Sequence, residues 1–159
     1  MSENRSFKEG IKEILEENNF LPISETDWKC LTVIHTEPSE DSEKRRTNSK
    51  IRSSLGDKRK KGVYVYKKEK TGEILYVGRG NLYGRITQHY RESYVRVPET
   101  HRYKKWYEFF SSHKGKLNVF WKEMEAEKGE VIESMLSYVM EPAFVSFKSN
   151  RRLRGQNKP

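Results

Sequence analysis

GVYVYKKEKTGEILYVG, residues 62–78, is the stretch that decides the fold. Both of its ends are rich in β-branched and aromatic residues, which favour strands. The polar segment 70–73 between them contains Gly72, so a turn can form there. The stretch therefore predicts a β-hairpin with one strand on each side of this turn.

The chain after the hairpin alternates between helical and strand patterns. Asn81 is suited to cap the first helix, because its side chain can accept a hydrogen bond from the helix backbone. Apolar residues at every second position predict a strand, and apolar pairs at every fourth position predict a buried last helix. With the hairpin these segments give an α+β domain, a central three-stranded antiparallel sheet flanked by helices. The segments are a helix at 82–91, a helix at 103–110, a strand at 117–121 and a helix from 129 to about Pro142.

The chain before the hairpin consists of an acidic and a basic segment. Residues 1–43 carry 4 basic and 11 acidic side chains. The helical spacing of their apolar residues predicts an amphipathic helix at 6–18. A short strand is predicted at 28–34. Residues 44–61 carry 9 basic side chains and one acidic side chain. Such a charged, aliphatic-poor segment predicts a partly mobile basic linker. The predicted organisation is an N-terminal helical extension at 1–43, a linker at 44–61, the main domain at 62–147 and a basic tail at 148–159.

The charge distribution points to a polyanionic partner. The whole chain has 32 Lys and Arg against 23 Asp and Glu, and from residue 44 onward the net charge is +16. Such a basic body is typical of proteins that bind a phosphate backbone, although a merely solvated surface is the alternative. No apolar run approaches the roughly 20 residues of a membrane helix, so we expect no membrane partner. The single cysteine, Cys30, fits a reducing interior, so we expect a cytoplasmic or nucleoid-associated protein.

Two tripeptides in the hairpin resemble a family signature. They are Gly62-Val63-Tyr64 and Tyr76-Val77-Gly78, with eleven residues between the tyrosines. Arg85 and His89 follow four residues apart on the next helix, and Glu133 lies on the last. This order resembles the GIY-YIG nuclease superfamily. The last helix, with a proline nine residues after the glutamate, is similar to the closing motif of the nuclease domain in a bacterial excision-repair nuclease.

The resemblance covers about residues 61–147 and implies an activity. It implies a metal-dependent endonuclease that hydrolyses DNA to give 5′-phosphate and 3′-hydroxyl ends. Tyr64 would be the general base with Tyr76 in support, and Glu133 would hold one Mg²⁺ or Mn²⁺. A phenol with a pKa near 10 can act as a base only if positive neighbours favour the phenolate or water relays the proton. A role shared with Tyr66, Lys67 or Lys68 stays open.

The residue types suit these roles. Arg85 and His89 are one helical turn apart and share a face, so we expect the arginine to fork onto phosphate oxygens while the histidine donates beside it. Glu133 lies at the edge of an apolar stripe, where its carboxylate can reach a hydrated Mg²⁺. The alternatives are a surface salt bridge for Arg85, a packing role for His89 and a solvated side chain for Glu133. The other histidines match no motif position.

Six further basic residues are candidates for contacts with the DNA backbone. They are Arg79 in the loop after the hairpin, Lys104 and Lys105, and Arg151, Arg152 and Arg154 in the tail. One departure from the family pattern concerns Val145. It stands where the family usually has an asparagine that supports the site, and this departure motivates a second hypothesis. The protein would then be a nucleic-acid-binding module that keeps the fold with weak or no catalysis.

The biological setting is less constrained than the chemistry. The lack of a cysteine-rich domain argues against the junction-resolving branch of the superfamily, and the lack of a long recognition domain argues against a typical homing enzyme. A restriction-type nuclease or a phage or mobile-element nuclease remains, as monomer or homodimer. A third hypothesis is a regulatory protein in which the acidic segment 1–43 folds over the basic surface as an inhibitory or dimerising arm.

Overall fold

The structure, a computed structural model, describes residues 6–98, 100–101 and 104–144. Over these residues the chain forms five α-helices and four β-strands, so the predicted α+β class is confirmed. The elements are α1 (Phe7–Glu17), β1 (Lys29–His35), α2 (Asp41–Leu55), β2 (Lys61–Lys68), β3 (Ile74–Asn81), α3 (Leu82–Glu92), α4 (Lys104–Ser112), β4 (Gly115–Glu123) and α5 (Ala126–Met140). A short 3-10 helix spans Ile23–Glu25.

The described strands pair in the order β1-β4-β2-β3, and every pair is antiparallel. The predicted hairpin is β2 and β3. The prediction of a three-stranded sheet is wrong, because β1 adds a fourth strand alongside β4 within the described residues. Leu31 and Val33 of β1 are buried, and the Thr32 hydroxyl donates to Asn118 Oδ1 at 2.8 Å. Burial on one face and this cross-strand bond explain why β1 joins the sheet.

The sheet separates two cores. Tyr64 and Tyr66 of β2 point to one face, which α2, α3 and α4 cover. Val63 and Val65 point to the opposite face, which α1 and α5 cover. This alternation follows from the two-residue period of a strand. The tyrosines of the hairpin are therefore enclosed between the sheet and the helical layer that contains α3.

The basic segment 44–61 is largely helical. The prediction of a linker is wrong for this segment, because α2 extends from Asp41 to Leu55. Ile51 and Leu55 lie one turn apart and are almost completely buried in the tyrosine-side core. Lys50 Nζ donates to the carbonyl of Thr32 at 2.8 Å. Two aliphatic anchors are enough to hold this helix when a sheet is already present to receive them.

The acidic N-terminal segment belongs to the same packed body. Helix α1 lies within the helix predicted at 6–18, and the Ser6 hydroxyl caps it, accepting from Glu9 N at 3.1 Å. Leu15 is fully buried, and the ring centroids of Phe7 and Tyr138 lie 5.9 Å apart. In this structure α1 therefore packs on α5. None of the helices in the described part of the chain is both long and apolar enough to cross a membrane.

Candidate active site

The two motif tyrosines lie on neighbouring strands and face the same core. Tyr64 is 1% exposed, and its ring centroid is 5.9 Å from that of Tyr76. Gly78 makes this packing possible. A Cβ at residue 78 would lie 2.4 Å from both Cζ and Oη of Tyr64, far inside contact distance. The second tripeptide therefore ends in glycine because the phenol of Tyr64 occupies the space of a side chain.

Helix α3 brings His89 to Tyr64. Asn81 caps the helix, accepting from Gly84 N at 2.7 Å, as the sequence predicts. Buried Leu82 and Ile86 hold α3 against the sheet. His89 Nε2 then lies 2.8 Å from Tyr64 Oη, with the imidazole 1% exposed. The two predicted site residues are thus joined by a buried hydrogen bond.

The opposite edge of the imidazole contacts Glu92. The distance from His89 Nδ1 to Glu92 Oε2 is 2.9 Å, and Gln88 Nε2 donates to the second carboxylate oxygen, Oε1, at 3.0 Å. Both ring nitrogens of His89 are therefore engaged inside the protein. This placement differs from the prediction that His89 donates to a phosphate beside Arg85. His89 lies behind Tyr64 instead.

Arg85 occupies the exposed side of α3. It lies close to Gly80, where an added Cβ would be 3.5 Å from Arg85 Nε. Burial raises the pKa of Tyr64 well above its ordinary value, and the neighbouring Tyr76 and Tyr66 raise it further. The positive charge of Arg85 lowers that pKa, but burial dominates. The cation alone therefore does not make Tyr64 a phenolate.

Glu133 lies at the rim of the core between the sheet and α5, the core that contains Val63 and Val65, as predicted. Ile132 and Leu136 on the same helix are buried, whereas the Glu133 side chain is 17% exposed. Arg79 Nε donates to Glu133 Oε2 at 3.0 Å, and its Nη2 lies 3.9 Å from Glu130 Oε1. Arg79 was a candidate for a phosphate contact, yet in the structure it links the end of β3 to Glu130 and Glu133 on α5.

The donor chemistry limits what metal this site can hold. Within the described residues no group of three or more His, Cys, Asp or Glu side chains is arranged to bind a metal ion. Mg²⁺ often takes only one or two protein carboxylates and keeps several waters. Glu133, a partly exposed carboxylate oriented by Arg79, fits one hydrated ion of this kind. The site does not fit a cage made only of protein ligands.

Helix α4 closes the site with aromatic side chains. The Trp106 ring centroid lies 4.9 Å from that of Tyr76 and 4.8 Å from that of His89. Lys104, a candidate DNA contact, begins this helix and pairs with Glu108 at 3.4 Å. Lys105 is exposed on the next position. Both lysines therefore lie within one helical turn of Trp106, which contacts Tyr76 and His89.

Some predicted residues fall outside the described ranges, and some site residues were not predicted. Arg151, Arg152, Arg154 and Val145 lie outside the described residues. Glu92 was not predicted, although its position three residues after His89 on one helix face is a usable signal. Trp106 has no such signal, because only the packing of α4 on the hairpin brings it to the site.

A second buried histidine lies behind the first. His35 is fully buried, its Nδ1 is hydrogen bonded to Ser93 Oγ, and its ring stacks on Phe110 at 5.1 Å. Burial, with a smaller effect of His89, lowers the pKa of His35 from 6.5 to about 3. His35 is therefore neutral at physiological pH. Its Nε2 and the hydroxyl of Tyr66 have no hydrogen-bond partner among the described residues.

Comparison of the chain with known proteins finds no relative. The chain matches no protein-family model, no curated protein and no solved structure.

Proposed function

We propose that the protein is a metal-dependent DNA endonuclease of the GIY-YIG type. The observation that carries the proposal is the buried 2.8 Å hydrogen bond between Tyr64 and His89, made between the first tripeptide and α3. Two more candidate catalytic residues join this pair. The charge of Arg85 acts on the Tyr64 phenol. Glu133 is hydrogen bonded to Arg79, the residue that follows the second tripeptide. With Tyr76 these candidates make five side chains, and they come from the hairpin, α3 and α5.

Each side chain has a role in hydrolysis of a phosphodiester. Tyr64 accepts a proton from the attacking water, and exposed Arg85 stabilises negative charge on the phosphate oxygens. Tyr76 packs against Tyr64 and holds it in place. A Mg²⁺ or Mn²⁺ ion bound by Glu133 would supply Lewis-acid stabilisation of the departing 3′ oxygen. The products would carry a 5′ phosphate and a 3′ hydroxyl.

The basic surface next to α3 supports DNA as the partner. A groove on α2 is lined by basic residues and serines, with no acidic residue. The segment that follows α2 is held at the start of α3, because Asn81 Nδ2 donates to Lys58 O at 2.7 Å and Leu82 N donates to Lys60 O at 2.9 Å. A phosphate backbone along α2 would be led toward Arg85. The groove residues are Arg45, Arg46, Ser49, Lys50, Arg52 and Ser53.

We further propose a restriction-type or a phage or mobile-element role, acting in the cytoplasm or on the nucleoid, as monomer or homodimer. The resemblance to the GIY-YIG superfamily, which includes restriction and phage enzymes, motivates this choice. Discrete fragments from a plasmid would favour the restriction type, whereas nonspecific degradation would argue against it.

A nucleic-acid-binding module without catalysis is the second candidate. The observation that favours it is the burial of Tyr64, which is 1% exposed and whose pKa burial raises. The ion pair between Arg79 and Glu133 also lies where a metal would bind. Salt-sensitive DNA binding without cleavage under any metal condition would favour this candidate.

The test is a cleavage assay with a matched pair of variants. Supercoiled plasmid and circular single-stranded DNA are each incubated with Mg²⁺, Mn²⁺ or EDTA. Glu133→Ala is compared with Glu130→Ala, because both glutamates lie on α5 and contact Arg79. We expect metal-dependent cleavage by the native protein and by Glu130→Ala, and none by Glu133→Ala.

DNA binding is measured on the same proteins in EDTA. We expect Glu133→Ala to bind as the native protein does, since the substitution removes a metal ligand and leaves every phosphate-binding side chain in place. Cleavage by Glu133→Ala at the native rate would refute the metal assignment. Absence of cleavage by the native protein on both DNA forms would refute the nuclease proposal.

A further inference from the structure

We propose that Glu92 is a positioning residue that fixes the tautomer of His89, so that Tyr64 passes its proton to His89 when it takes one from water. This inference rests on the proposed function. It adds a third member to the pair of Tyr64 and His89. It also changes the role of His89 from a phosphate donor to the proton acceptor behind the base.

The hydrogen bonds determine which nitrogen carries the proton. An ionised carboxylate only accepts hydrogen bonds, so His89 Nδ1, 2.9 Å from Glu92 Oε2, must carry the proton. In a neutral imidazole the other nitrogen is then an acceptor, and Nε2 receives the Tyr64 hydroxyl at 2.8 Å. Gln88 donates to the second oxygen of Glu92 at 3.0 Å. Two donors therefore stabilise a carboxylate that is only 8% exposed.

The surroundings of His89 leave the proton no better destination. The ring faces Tyr64, Tyr66 and Tyr76 from the sheet and the apolar rings of Trp106 and Phe110 from α4. Burial, with a smaller effect of His89, lowers the pKa of the nearby His35 to about 3, so this core disfavours a positive charge that has no counterion. Glu92 supplies the negative charge that a protonated His89 needs in such a core.

The proton balance of the step is then complete. A water molecule forms its bond to phosphorus while one of its protons moves to Tyr64 Oη. The original proton of Tyr64 moves to His89 Nε2, which gives an imidazolium facing the Glu92 carboxylate. The bond from phosphorus to the 3′ oxygen breaks, and this oxygen takes a proton from solvent. His89 later returns its proton through Tyr64 to solvent. Tyr64 therefore never exists as a buried phenolate.

The experiment reads the tautomer directly and separately from activity. Protein labelled with ¹⁵N at histidine is studied near neutral pH, and the signals of the His89 ring are assigned with His89→Asn. We expect a protonated Nδ1 and an unprotonated Nε2. In Glu92→Gln, Gln88 holds the new amide oxygen, so the amide NH₂ faces Nδ1 and donates to it. The His89 proton should then move to Nε2.

Cleavage is measured on the same proteins. We expect Glu92→Gln to lose about 10²- to 10⁴-fold in cleavage, the usual contribution of a positioned general base, with the upper end matching replacement of the carboxylate behind a catalytic histidine by its amide. Glu92→Asp, which keeps the anion, should retain the native tautomer and recover most of this loss. Glu127→Gln, at an exposed position of α5, serves as a control with the same chemical change away from Tyr64 and His89.

The outcomes separate this inference from the proposed function. A native His89 protonated at Nε2, or a Glu92→Gln protein with the native tautomer and native cleavage, would overturn the inference. If Glu92→Gln does not fold, the tautomer of the native protein and of Glu92→Asp still decides it. A native protein with the expected tautomer but no cleavage would refute the nuclease and leave Glu92 as the residue that orients His89.

Discussion

The Tyr64 phenol fills the space beside Gly78, so residue 78 has no room for a side chain. A Cβ at residue 78 would lie 2.4 Å from Oη of Tyr64. Because the same hydroxyl bonds to His89 at 2.8 Å, any displacement of the phenol also breaks the link to the imidazole. The second tripeptide thus controls the position of the reactive group of the first.

Replacing Gly78 by alanine adds only a methyl group, but it should displace the Tyr64 phenol and so abolish cleavage. We expect overpacking to lower the free energy of unfolding by about 1–3 kcal/mol. Cleavage should be lost even at temperatures where the variant is folded. Denaturant unfolding and plasmid cleavage measure the two effects. Gly10→Ala is the control, because nothing lies within 4 Å of its added Cβ, and alanine in a helix should raise stability by about 0.5–1 kcal/mol. A Gly78→Ala protein with native cleavage would contradict the packing account.

Replacing Arg79 by alanine should separate orientation of the carboxylate from DNA binding. The charge-assisted bond from Arg79 to Glu133 is 3.0 Å long, and such bonds contribute about 1.5–3 kcal/mol. We expect cleavage to fall about 10- to 100-fold while DNA affinity in EDTA stays near the native value. Arg85→Ala is the comparison and should weaken both. If Arg79→Ala loses affinity and not cleavage, Arg79 is the phosphate contact predicted from sequence.

The α2 groove should contribute to DNA affinity through counterion release. Replacing the exposed Arg45, Arg46 and Arg52 by glutamine should reduce the slope of log K against log salt by about 0.9 for each phosphate that is no longer neutralised. Fluorescence anisotropy with a labelled duplex between about 50 and 200 mM salt measures this slope. The control removes the same number of charges by replacing three exposed lysines: Lys70 in the turn between β2 and β3, Lys114 just before β4 and Lys116 at the start of β4. Equal slopes in both triple variants would refute a role for the groove.

His35 should make the fold sensitive to acid. Its pKa is about 3 in the folded protein and 6.5 when exposed, so the unfolded state binds the proton first. Its contribution to stability is complete above pH 6.5 and is lost as pH falls toward 3, by up to about 1.4 kcal/mol per pH unit. The groups facing the ring are Tyr66, Tyr90, Ser93 and His89.

The check is denaturant unfolding of native protein and His35→Phe at several acidic pH values. Phenylalanine keeps the stacking on Phe110 and cannot titrate, so the variant should lose less stability on acidification. Gly10→Ala, which changes no titratable group, should follow the native pH dependence. Parallel pH curves for the native protein and His35→Phe would contradict the assignment.

Local sequence patterns predicted much of the fold and the positions of several candidate residues within it. The strand composition around Tyr64 and Tyr76 predicted the hairpin, and Asn81 predicted the start of α3. The helical period placed Glu133 at the edge of the apolar stripe, where the structure has it. These features depend on neighbours within a few residues, so a sequence carries their signal directly.

Features that depend on distant parts of the chain could not be predicted. The sequence predicts a strand at 28–34, but only the presence of β4 places it in the sheet. Likewise, only the finished sheet gives Ile51 and Leu55 a place to bury. Because most residues of α2 are polar or charged, its two buried aliphatic residues were too few to predict a helix from the sequence. The inward placement of His89 depends on the rings of α4, whose packing has no local signal.

The pairing of β1 with β4 also has a consequence for synthesis. Thr32 and its partner Asn118 are separated by 86 residues, so at 5–20 residues per second β1 is made roughly 4–17 seconds before β4. During that interval the nascent chain contains an apolar strand whose backbone groups have no ladder to join. The ribosome-bound chain therefore passes through a period in which it needs protection from aggregation. Slower translation between residues 35 and 115 would lengthen this period.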